Sequence, residues 1–209
     1  MLVDLHTHPL NHRYYYDGLR PDALSERDKA DILGLIAQGR ERGLDAIAVT
    51  DHDLALSGLW AAGEARRQGL PIRVLAGCEC ELYHNGAWVH ILALNLKEPL
   101  AYTAYTPAAS LAAAIRAQGA VAVLAHPMAY DEAVYHSLKA VVDGVEYRNG
   151  AQARRGAGDF TAVLDADGFA GLRLCGSDCH WPDAVHPLQW AARTELAEAE
   201  FVRLFGTGR

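Results

Sequence analysis

The 209-residue chain lacks any uncharged apolar run long enough to cross a membrane, for which a helix needs roughly 18 residues or more. Its first residues also lack the basic segment and long apolar run of a secretory leader, and they reach Asp4 and His6 directly. Internal repeats and low-complexity linkers are missing as well. These absences predict a cytoplasmic protein without membrane contact, folded as one domain over residues 1–209.

An excess of positive charge is missing too. The chain carries 19 Lys and Arg against 26 Asp and Glu, which gives a formal net charge of −7. Because nucleic acids and anionic lipids are bound through clustered Lys and Arg, an extended nucleic acid is not expected as a partner. A small phosphorylated substrate is compatible with this composition, since bound divalent cations make a pocket locally positive. The oligomeric state is left open.

Cysteine is scarce, and the CxxC pairs of common structural zinc sites do not occur. The 4 cysteines form a CxC pair, Cys78 and Cys80, and a CxxxC pair, Cys175 and Cys179. Cys78 and Cys80 flank Glu79 in a predicted strand, so their side chains should point away from the face that carries Glu79. We therefore expect buried free thiols rather than a four-cysteine metal site.

Histidines and carboxylates, by contrast, are concentrated in four short segments. These are Asp4-Leu5-His6-Thr7-His8, Thr50-Asp51-His52-Asp53, His126-Pro127 and Gly176-Ser177-Asp178-Cys179-His180. Residues i and i+2 of a strand project from one face, so His6 and His8 can present two ligands to one cavity. The same holds for Asp178 and His180. Neutral imidazole and carboxylate suit Zn, Mn or Fe, and the pattern predicts a catalytic site with more than one metal ion.

Hydrophobic periodicity predicts strands that alternate with helices. The predicted strands span residues 1–6, 44–50, 72–83, 88–94, 120–125, 144–147 and 172–175, and the predicted helices span residues 25–42, 57–68, 107–118, 131–142, 151–166 and 195–205. Asn85-Gly86 between two strand-like runs predicts a tight hairpin, which interrupts a strictly parallel pattern. Polar residues just past strand ends favour a barrel-like α/β fold with its active site at the carboxyl ends of the strands.

In their order along the chain, these motifs resemble the PHP (polymerase and histidinol phosphatase) family. The resemblance runs from about residue 2 to about residue 180 and rests on Asp4 to His8, Thr50 to Asp53, Gly77-Cys78-Glu79, His90-Ile91-Leu92, Ala125-His126-Pro127, Glu146 to Asn149 and Gly176 to His180. Single HxH or HP pairs mean little, but their shared order argues against chance agreement. The resemblance implies a distorted (β/α)7 barrel that holds two or three divalent metal ions and hydrolyses phosphoesters.

The resemblance also implies three metal positions. The first would be held by His6, His8, Glu79 and Asp178, the second by Glu79, His90 and His126, and the third by His52 and His180 with a ligand from the first loop. Glu79 would bridge the first two. Asp178, His180 and His52 are the expected catalytic residues, acting with a hydroxide that the cations activate for attack on phosphorus.

The first loop departs from the family pattern. Pro9 follows the second histidine of the HxH motif, His12 lies four residues beyond that histidine, and Asp17 lies nine beyond it. Asp17-Gly18 resembles the family's Asp-Gly, but the loop is longer than usual and His12 competes for the same role. The third metal ligand of this loop is therefore open between Asp17 and His12.

Other positions carry weaker expectations. Glu81 shares a strand face with Glu79 and is an alternative ligand. Arg20 and Arg148 are the predicted substrate-binding residues, because guanidinium forms paired hydrogen bonds with phosphate oxygens. Asp51 and Asp53 either orient the histidine between them or cap the following helix. The remaining histidines, at positions 84, 136 and 186, have no motif support and are expected to be structural or exposed.

The predicted function is hydrolysis of a phosphoester in a small phosphorylated metabolite or nucleotide by a metal-bound hydroxide. A phosphodiester exonuclease is an alternative, although the acidic composition disfavours it. A metal-stabilised regulatory module without turnover is a second alternative. An amidohydrolase is a third, because activation of water by a metal ion does not itself select phosphorus over carbon.

Overall fold

The structure, a computed structural model, describes residues 1–15, 20–182 and 192–207. Within these ranges, eight strands form one mixed sheet that wraps into a nearly closed barrel, and a further two strands form a small second sheet. The α/β barrel expected from the sequence is therefore confirmed.

The strands are β1 (Leu2–Asp4), β2 (Thr7–His8), β3 (Ala46–Val49), β4 (Arg73–His84), β5 (Ala87–Leu94), β6 (Val121–Leu124), β7 (Gly144–Asn149), β8 (Leu172–Gly176), β9 (Cys179–His180) and β10 (Thr194–Glu195). The helices are α1 (Glu26–Glu41), α2 (Ala55–Gln68), α3 (Ala108–Ala117), α4 (Glu132–Leu138), α5 (Gly150–Arg154), α6 (Thr161–Ala166) and α7 (Glu198–Phe205). The order in the large sheet is β10-β1-β3-β4-β5-β6-β7-β8.

Three predicted helices are longer than the observed ones. The helix expected over residues 195–205 begins only at Glu198, because Glu195 pairs with Leu2 in β10. The helix expected over residues 131–142 is limited to α4, which ends at Leu138. The helix expected over residues 151–166 is divided into α5 and α6. Gly156 lies between them with φ of 88°, a left-handed conformation that glycine adopts at little cost and that stops an α-helix.

The predicted hairpin joins β4 and β5, whose register runs from Gly77 opposite Leu94 to His84 opposite Ala87. Asn85 and Gly86 form the turn, both with positive φ, as a two-residue hairpin turn requires. β5 is antiparallel to both of its neighbours, β4 and β6. This arrangement confirms the interruption of the parallel pattern.

The segments that follow β1 and β8 meet in the small second sheet, which closes the barrel. β2 continues the path of β1 and pairs in parallel with β9, with Thr7 opposite Cys179 and His8 opposite His180. The His6 carbonyl also accepts the Asp178 N–H at 2.8 Å. The two histidine-containing motifs at the ends of the barrel sequence therefore lie side by side.

Apolar side chains from alternate strand positions fill the barrel. They include Val3, Ala46, Ala48, Leu75, Leu92, Leu94, Val123 and Leu174, all buried in one cluster. Phe201 and Phe205 of α7 pack against the same cluster. The Arg73 guanidinium at the start of β4 lies 5.2 Å from the centre of the Phe201 ring, so α7 covers the amino ends of the strands. The carboxyl ends are left to polar side chains.

Two further observations bear on the sequence expectations. The thiols of Cys78, Cys80, Cys175 and Cys179 are buried and form no disulfide with one another, as expected. None of the helices in the described ranges has both the length and the apolar character that a membrane crossing demands.

Helix α2 packs closely against the sheet through one glycine. A Cβ placed on Gly58 would lie 2.6 Å from the Gly77 nitrogen and 2.7 Å from the Val49 oxygen, both backbone atoms. A Cβ on Gly63 of the same helix would meet no atom within 4 Å. The space at Gly58 sets how near α2 can lie to β3 and β4.

This difference gives a matched pair of substitutions. We expect Gly58→Ala to lower the free energy of unfolding by about 1–3 kcal/mol, because helix and sheet must separate. Gly63→Ala should instead raise it by about 0.5–1 kcal/mol, since Ala is the better helix former and nothing opposes its side chain. Urea denaturation of the two variants measures both effects, and changes of the same sign would contradict the close packing at Gly58.

Candidate metal centre

The candidate site residues follow the carboxyl ends of the barrel strands. His6 and His8 follow β1, His52 follows β3, His126 follows β6 and Asp178 follows β8. The long hairpin contributes two more, Glu79 on β4 and His90 on β5. Buried together with them are Asp4, Asp51 and Glu146. The strand ends thus gather a set of ionisable side chains above the apolar interior.

Three residues in or beside the candidate site have an unusual backbone conformation. Asp53, His126 and Asp178 have φ of 47°, 29° and 52°, in the left-handed region that few residues other than glycine adopt. All three lie where the chain leaves a strand. Because such conformations persist only where the surrounding structure holds them, the barrel holds the backbone at these three positions.

Glu79 occupies the centre of the site. Its Oε1 lies 2.8 Å from His90 Nδ1, 3.0 Å from His126 Nε2 and 3.3 Å from His6 Nε2. Its Oε2 lies 2.8 Å from His52 Nδ1 and 3.3 Å from His8 Nε2. One carboxylate is therefore surrounded by five imidazoles. This is the position that sequence reasoning gave to the bridging carboxylate.

Asp178 stands beside the HxH motif. Its Oδ1 is 3.3 Å from His8 Nε2 and 3.7 Å from His6 Nε2, and the two imidazole nitrogens are 3.0 Å apart. On the outer side, His52 Nε2 lies 3.4 Å from His180 Nε2. The residues predicted for the first two metal positions thus contact one another. His52 and His180, which are predicted for the third position, lie beside them.

These groupings resemble divalent metal sites. Among the described residues, four sets of three ligand atoms lie within 4.8 Å of one another: His8, His52, His180; His6, His8, Asp178; His6, Glu79, His126; and His52, Glu79, His90. Ligand atoms about 2.1 Å from one metal ion are about 3.0–3.4 Å from one another in octahedral or tetrahedral coordination. Most of the distances given above fall in or close to that interval.

Two buried atoms provide a separate test of the fit. Glu79 Oε2 and His52 Nδ1 are buried and make no hydrogen bond of acceptable geometry, although they are only 2.8 Å apart. Buried polar atoms are nearly always satisfied, so an orphaned pair at the centre of a ligand cluster indicates a missing partner. Imidazole and carboxylate donors without thiolate suit Zn, Mn or Fe, and the residues therefore fit divalent cations.

The electrostatics hold both central carboxylates in the ionised form. Burial opposes ionisation of Glu79, but the imidazoles around it, led by His90 and then His6, keep the pKa of this carboxyl well below its usual range. Burial also opposes ionisation of Asp178, and His6 and His8 outweigh it, so the pKa of this carboxyl is lowered as well. Ionised carboxylates are the form that binds cations.

The histidines differ among themselves. Burial lowers the pKa of His52 to about 4 and that of His180 to about 3, and the nearby His8 adds to both effects. For His90 burial acts in the same direction, but the Glu79 carboxylate outweighs it and raises the pKa to about 10. His52 and His180 are therefore neutral, the form in which imidazole binds a metal, whereas the pKa values of His6 and His8 are raised like that of His90, so these three would have to release a proton to bind one.

Glu146 supports the site from below and was not assigned a role from the sequence. Its Oε1 lies 3.2 Å from His6 Nδ1, and its Oε2 accepts the His126 backbone N–H at 2.8 Å and the Asn149 amide at 3.0 Å. A Cβ on Gly176 would lie 2.6 Å from Glu146 Oε1, so only glycine leaves room for this carboxylate. Strand alternation alone could not show that this glutamate is buried.

The alternative ligand Glu81 lies behind His90 rather than at the centre. Its Oε2 is 3.4 Å from His90 Nε2, the ring nitrogen that faces away from Glu79, and it accepts a hydrogen bond from the Tyr15 hydroxyl. A carboxylate on the far nitrogen fixes the tautomer and orientation of a ligand histidine. The geometry therefore gives Glu79 the central place and Glu81 a supporting one.

Of the two aspartates beside His52, neither caps the following helix. Helix α2 begins after Leu54 without a side-chain cap. Asp51 Oδ1 accepts the Leu10 N–H at 2.9 Å, which ties the first loop to β3. Asp53 Oδ1 accepts the Glu81 N–H at 2.8 Å, along the edge of β4. Both aspartates brace the backbone around the site.

The two arginines predicted to bind substrate are placed differently. Arg20 adjoins the site: its guanidinium donates to Asp53 at 3.0 Å and to the His52 carbonyl at 3.4 Å. The Arg148 side chain is half exposed, and the contact it makes within the described residues is with Asp159, 3.5 Å away. Arg148 is thus not among the groups that the structure gathers at the site.

The first loop is described only in part. The His12 ring stacks on His180 with centroids 4.4 Å apart, so this candidate lies beside the third predicted position. Asp17, the competing candidate, lies outside the described residues, as does His186. His84 contacts Ser137, and the exposed His136 contacts Glu132, both away from the site.

The similarity of this chain to known proteins lies in its fold. No protein-family model matches the sequence, and no curated protein matches it. An amidohydrolase from Chromobacterium violaceum, solved with bound sulfate and no metal, superposes with a TM-score of 0.63 at 19% identity, covering 95% of this chain and 99% of that one.

Two further solved structures are PHP-like or phosphoesterase-like in name. A two-domain protein from Bacteroides vulgatus, containing a PHP-like metal-dependent phosphoesterase by prediction, has a TM-score of 0.59 at 19% identity, covering 86% of this chain and 52% of that one. A protein from Bifidobacterium adolescentis, also assigned as a metal-dependent phosphoesterase without proof, has a TM-score of 0.60 at 17% identity, covering 97% and 94%. The fold is thus shared with PHP-like proteins, as the motifs implied.

Proposed function

We propose that the protein is a metal-dependent hydrolase of the PHP type, and more specifically a phosphoesterase acting on a small phosphorylated metabolite or nucleotide. The observation that carries the proposal is the buried Glu79 carboxylate, which has imidazole nitrogens from five histidines within 2.8–3.3 Å. At the centre of this cluster, Glu79 Oε2 and His52 Nδ1 are buried without a hydrogen bond, which a purely structural site would satisfy. The names of two structural neighbours support the same reading.

Two or three divalent ions are proposed, with Zn, Mn or Fe as candidates. His6, His8, Glu79 and Asp178 would hold one, and Glu79, His90 and His126 a second. His52 and His180, with His12 or Asp17, would hold a third. When bound, such ions activate water and offset negative charge on the phosphoryl oxygens.

The protein's own groups would bind and orient the ester. Arg20, whose side chain is 43% exposed and donates to Asp53 and to the His52 carbonyl, would bind a phosphoryl oxygen. Glu146 and Glu81 fix the ring orientations of His6 and His90 from the far side. Asp178, His180 and His52 are the proposed catalytic residues. Asp178 lies against His8, and the His52 and His180 rings stack on the His12 ring of the first loop, with centroids 5.4 and 4.4 Å away.

An amidohydrolase is the second candidate, because one structural neighbour carries that name. The same ligand set would activate water for attack on carbon. The two candidates differ in the substrates they accept, so one panel of phosphomonoesters, amides and lactones distinguishes them. Release of phosphate without cleavage of amides or lactones supports the phosphoesterase.

Removal of a central carboxylate tests the proposal directly. We expect Asp178→Asn to lower kcat/KM for phosphate release by about 100-fold or more, because one cation loses a charged ligand and the attacking water is no longer positioned. Metal-loaded wild-type and variant proteins are compared with Glu132→Gln, in which an exposed carboxylate paired with His136 is neutralised at a distance from the site. Full activity of Asp178→Asn would refute the assignment.

Glu146 offers a test that does not depend on turnover. Because its carboxylate holds His6 and the backbone of His126, we expect Glu146→Gln to weaken metal binding by about 10–100-fold. Competition with a chromogenic chelator measures the affinity, and metal analysis of dialysed protein gives the number of ions bound. Wild-type affinity in the variant would show that Glu146 does not orient the ligands.

The exonuclease alternative predicts a different behaviour. With a net charge of −7, the protein should bind a fluorescent single-stranded oligonucleotide weakly, and the binding should depend little on salt. It should also release no mononucleotides from that strand under conditions in which it hydrolyses a phosphomonoester. Tight binding that weakens steeply with salt would favour the exonuclease.

A further inference from the structure

Three large aromatic side chains are exposed together near the candidate site. Tyr83, Trp88 and Tyr105 are 44%, 50% and 76% exposed, and they are the exposed large hydrophobic side chains among the described residues. The Tyr83 ring contacts both of the others, with centroids 5.3 Å from Trp88 and 6.1 Å from Tyr105. Isolated exposed rings are ordinary, whereas three rings joined by contacts with the middle one, Tyr83, form a patch. We call these three residues the aromatic platform.

The platform lies on the same face of the β4–β5 hairpin as the candidate metal ligands. Tyr83 is opposite Trp88, and two positions further along, Glu81 is opposite His90. Because side chains alternate between faces, Tyr83 and Glu81 project to the side that carries Glu79. Trp88 is two residues from His90, a separation of about 7 Å along the strand.

The third ring is brought to the platform by a separate segment. The Tyr83 N–H donates to the Ala104 carbonyl at 2.6 Å, which fixes the chain next to Tyr105 against the free edge of β4. The same segment is held at its other end, where the Tyr102 hydroxyl donates to Asp53. The platform is therefore anchored to residues that also brace the site.

We propose that the aromatic platform is a stacking subsite for a planar aromatic group on the substrate, such as a nucleobase, while the phosphoester lies among the candidate metal ligands. The proposal deepens the phosphoesterase proposed above and rests on it. Because Trp88 and His90 are two residues apart on one strand face, a substrate that reaches both would carry its aromatic group a short linker away from the phosphoester. Stacking on Tyr and Trp accepts any flat ring, so the subsite selects for an aromatic group rather than for one particular base.

A small molecule suits this surface better than a protein partner does. A full aromatic side chain offers about 150–250 Å² of surface, and these three are each only partly exposed. A stable protein interface buries about 800 Å² on each partner. The platform alone is too small for that, and its continuity with the metal-ligand face gives it a place in substrate binding.

The test compares two substrates that share the same phosphoester. Adenosine 5′-monophosphate carries a base, and ribose 5-phosphate has a hydroxyl in its place. We expect wild-type kcat/KM to favour the nucleotide by about 10-fold or more, and Trp88→Leu to reduce this ratio by about 10-fold. Trp88→Phe, which keeps a ring, should retain most of the preference. Equal losses in the two variants would overturn stacking as the cause.

A binding measurement separates this subsite from the proposed function. Adenosine, which has no phosphate, is titrated into the wild type and Trp88→Leu by calorimetry, and the variant should bind it about 10-fold more weakly. If the protein binds adenosine but releases phosphate from neither ester, the phosphoesterase proposal is refuted and the subsite is supported. Equal hydrolysis of both esters without adenosine binding would refute the subsite alone. A dimer in sedimentation velocity that Trp88→Leu dissociates would assign the platform to self-association instead and overturn the proposal.

Discussion

Burial of the Glu79 carboxylate among five imidazoles is the constraint on which the rest of the site depends. A lone carboxylate at this depth would be costly, and ion pairing with histidines offsets that cost only when the rings lie within about 4 Å. The imidazoles come from β1, β2, β3, β5 and β6 or the residues just beyond them, so most of the barrel must be assembled before the cluster exists. The centre therefore depends on the whole fold rather than on any local segment.

Closure of the barrel completes this arrangement. The pairing of β2 with β9 places His8 opposite His180, and the Asp4 carboxylate accepts the Ser177 N–H at 2.9 Å. A Cβ on Gly176 would lie 2.3 Å from the His6 Cβ. The end of β8 can therefore approach the segment around His6 only because Gly176 has no side chain. His6 and Gly176, which are 170 positions apart in the sequence, thus become neighbours through backbone contacts. The side chains around them reach the site over short distances.

Sequence reasoning recovered the parts of this design that follow from local rules. A two-residue period predicts that His6 and His8 share one cavity, and the Asn-Gly turn predicts the β4–β5 hairpin. Asp178 and His180 also lie together, but Asp178 has a left-handed φ of 52° and lies outside strand β9, so strand alternation is not the cause. Glu79 was placed by its motif, because alternation alone did not separate it from Glu81. The supporting role of Glu146 was missed, since its burial depends on β7 lying next to β8 and on the space left by a glycine. The sequence predicts one helix where the structure has α5 and α6, because helix propensity summed over residues 151–166 does not reveal that Gly156 adopts a left-handed conformation.

In the proposed function, the antiparallel hairpin would link metal binding to recognition of the rest of the substrate. Its single register sets Glu79, Glu81 and Tyr83 on one face of β4, with His90 and Trp88 beside them on β5. A shift of the strand register by one residue would move all of these side chains on that strand to the opposite face of the sheet. A parallel strand at this position would need a crossover helix and could not project beyond the barrel as a paired ribbon. The antiparallel interruption is therefore what allows one continuous surface to extend from the proposed metal ligands to the exposed aromatic rings.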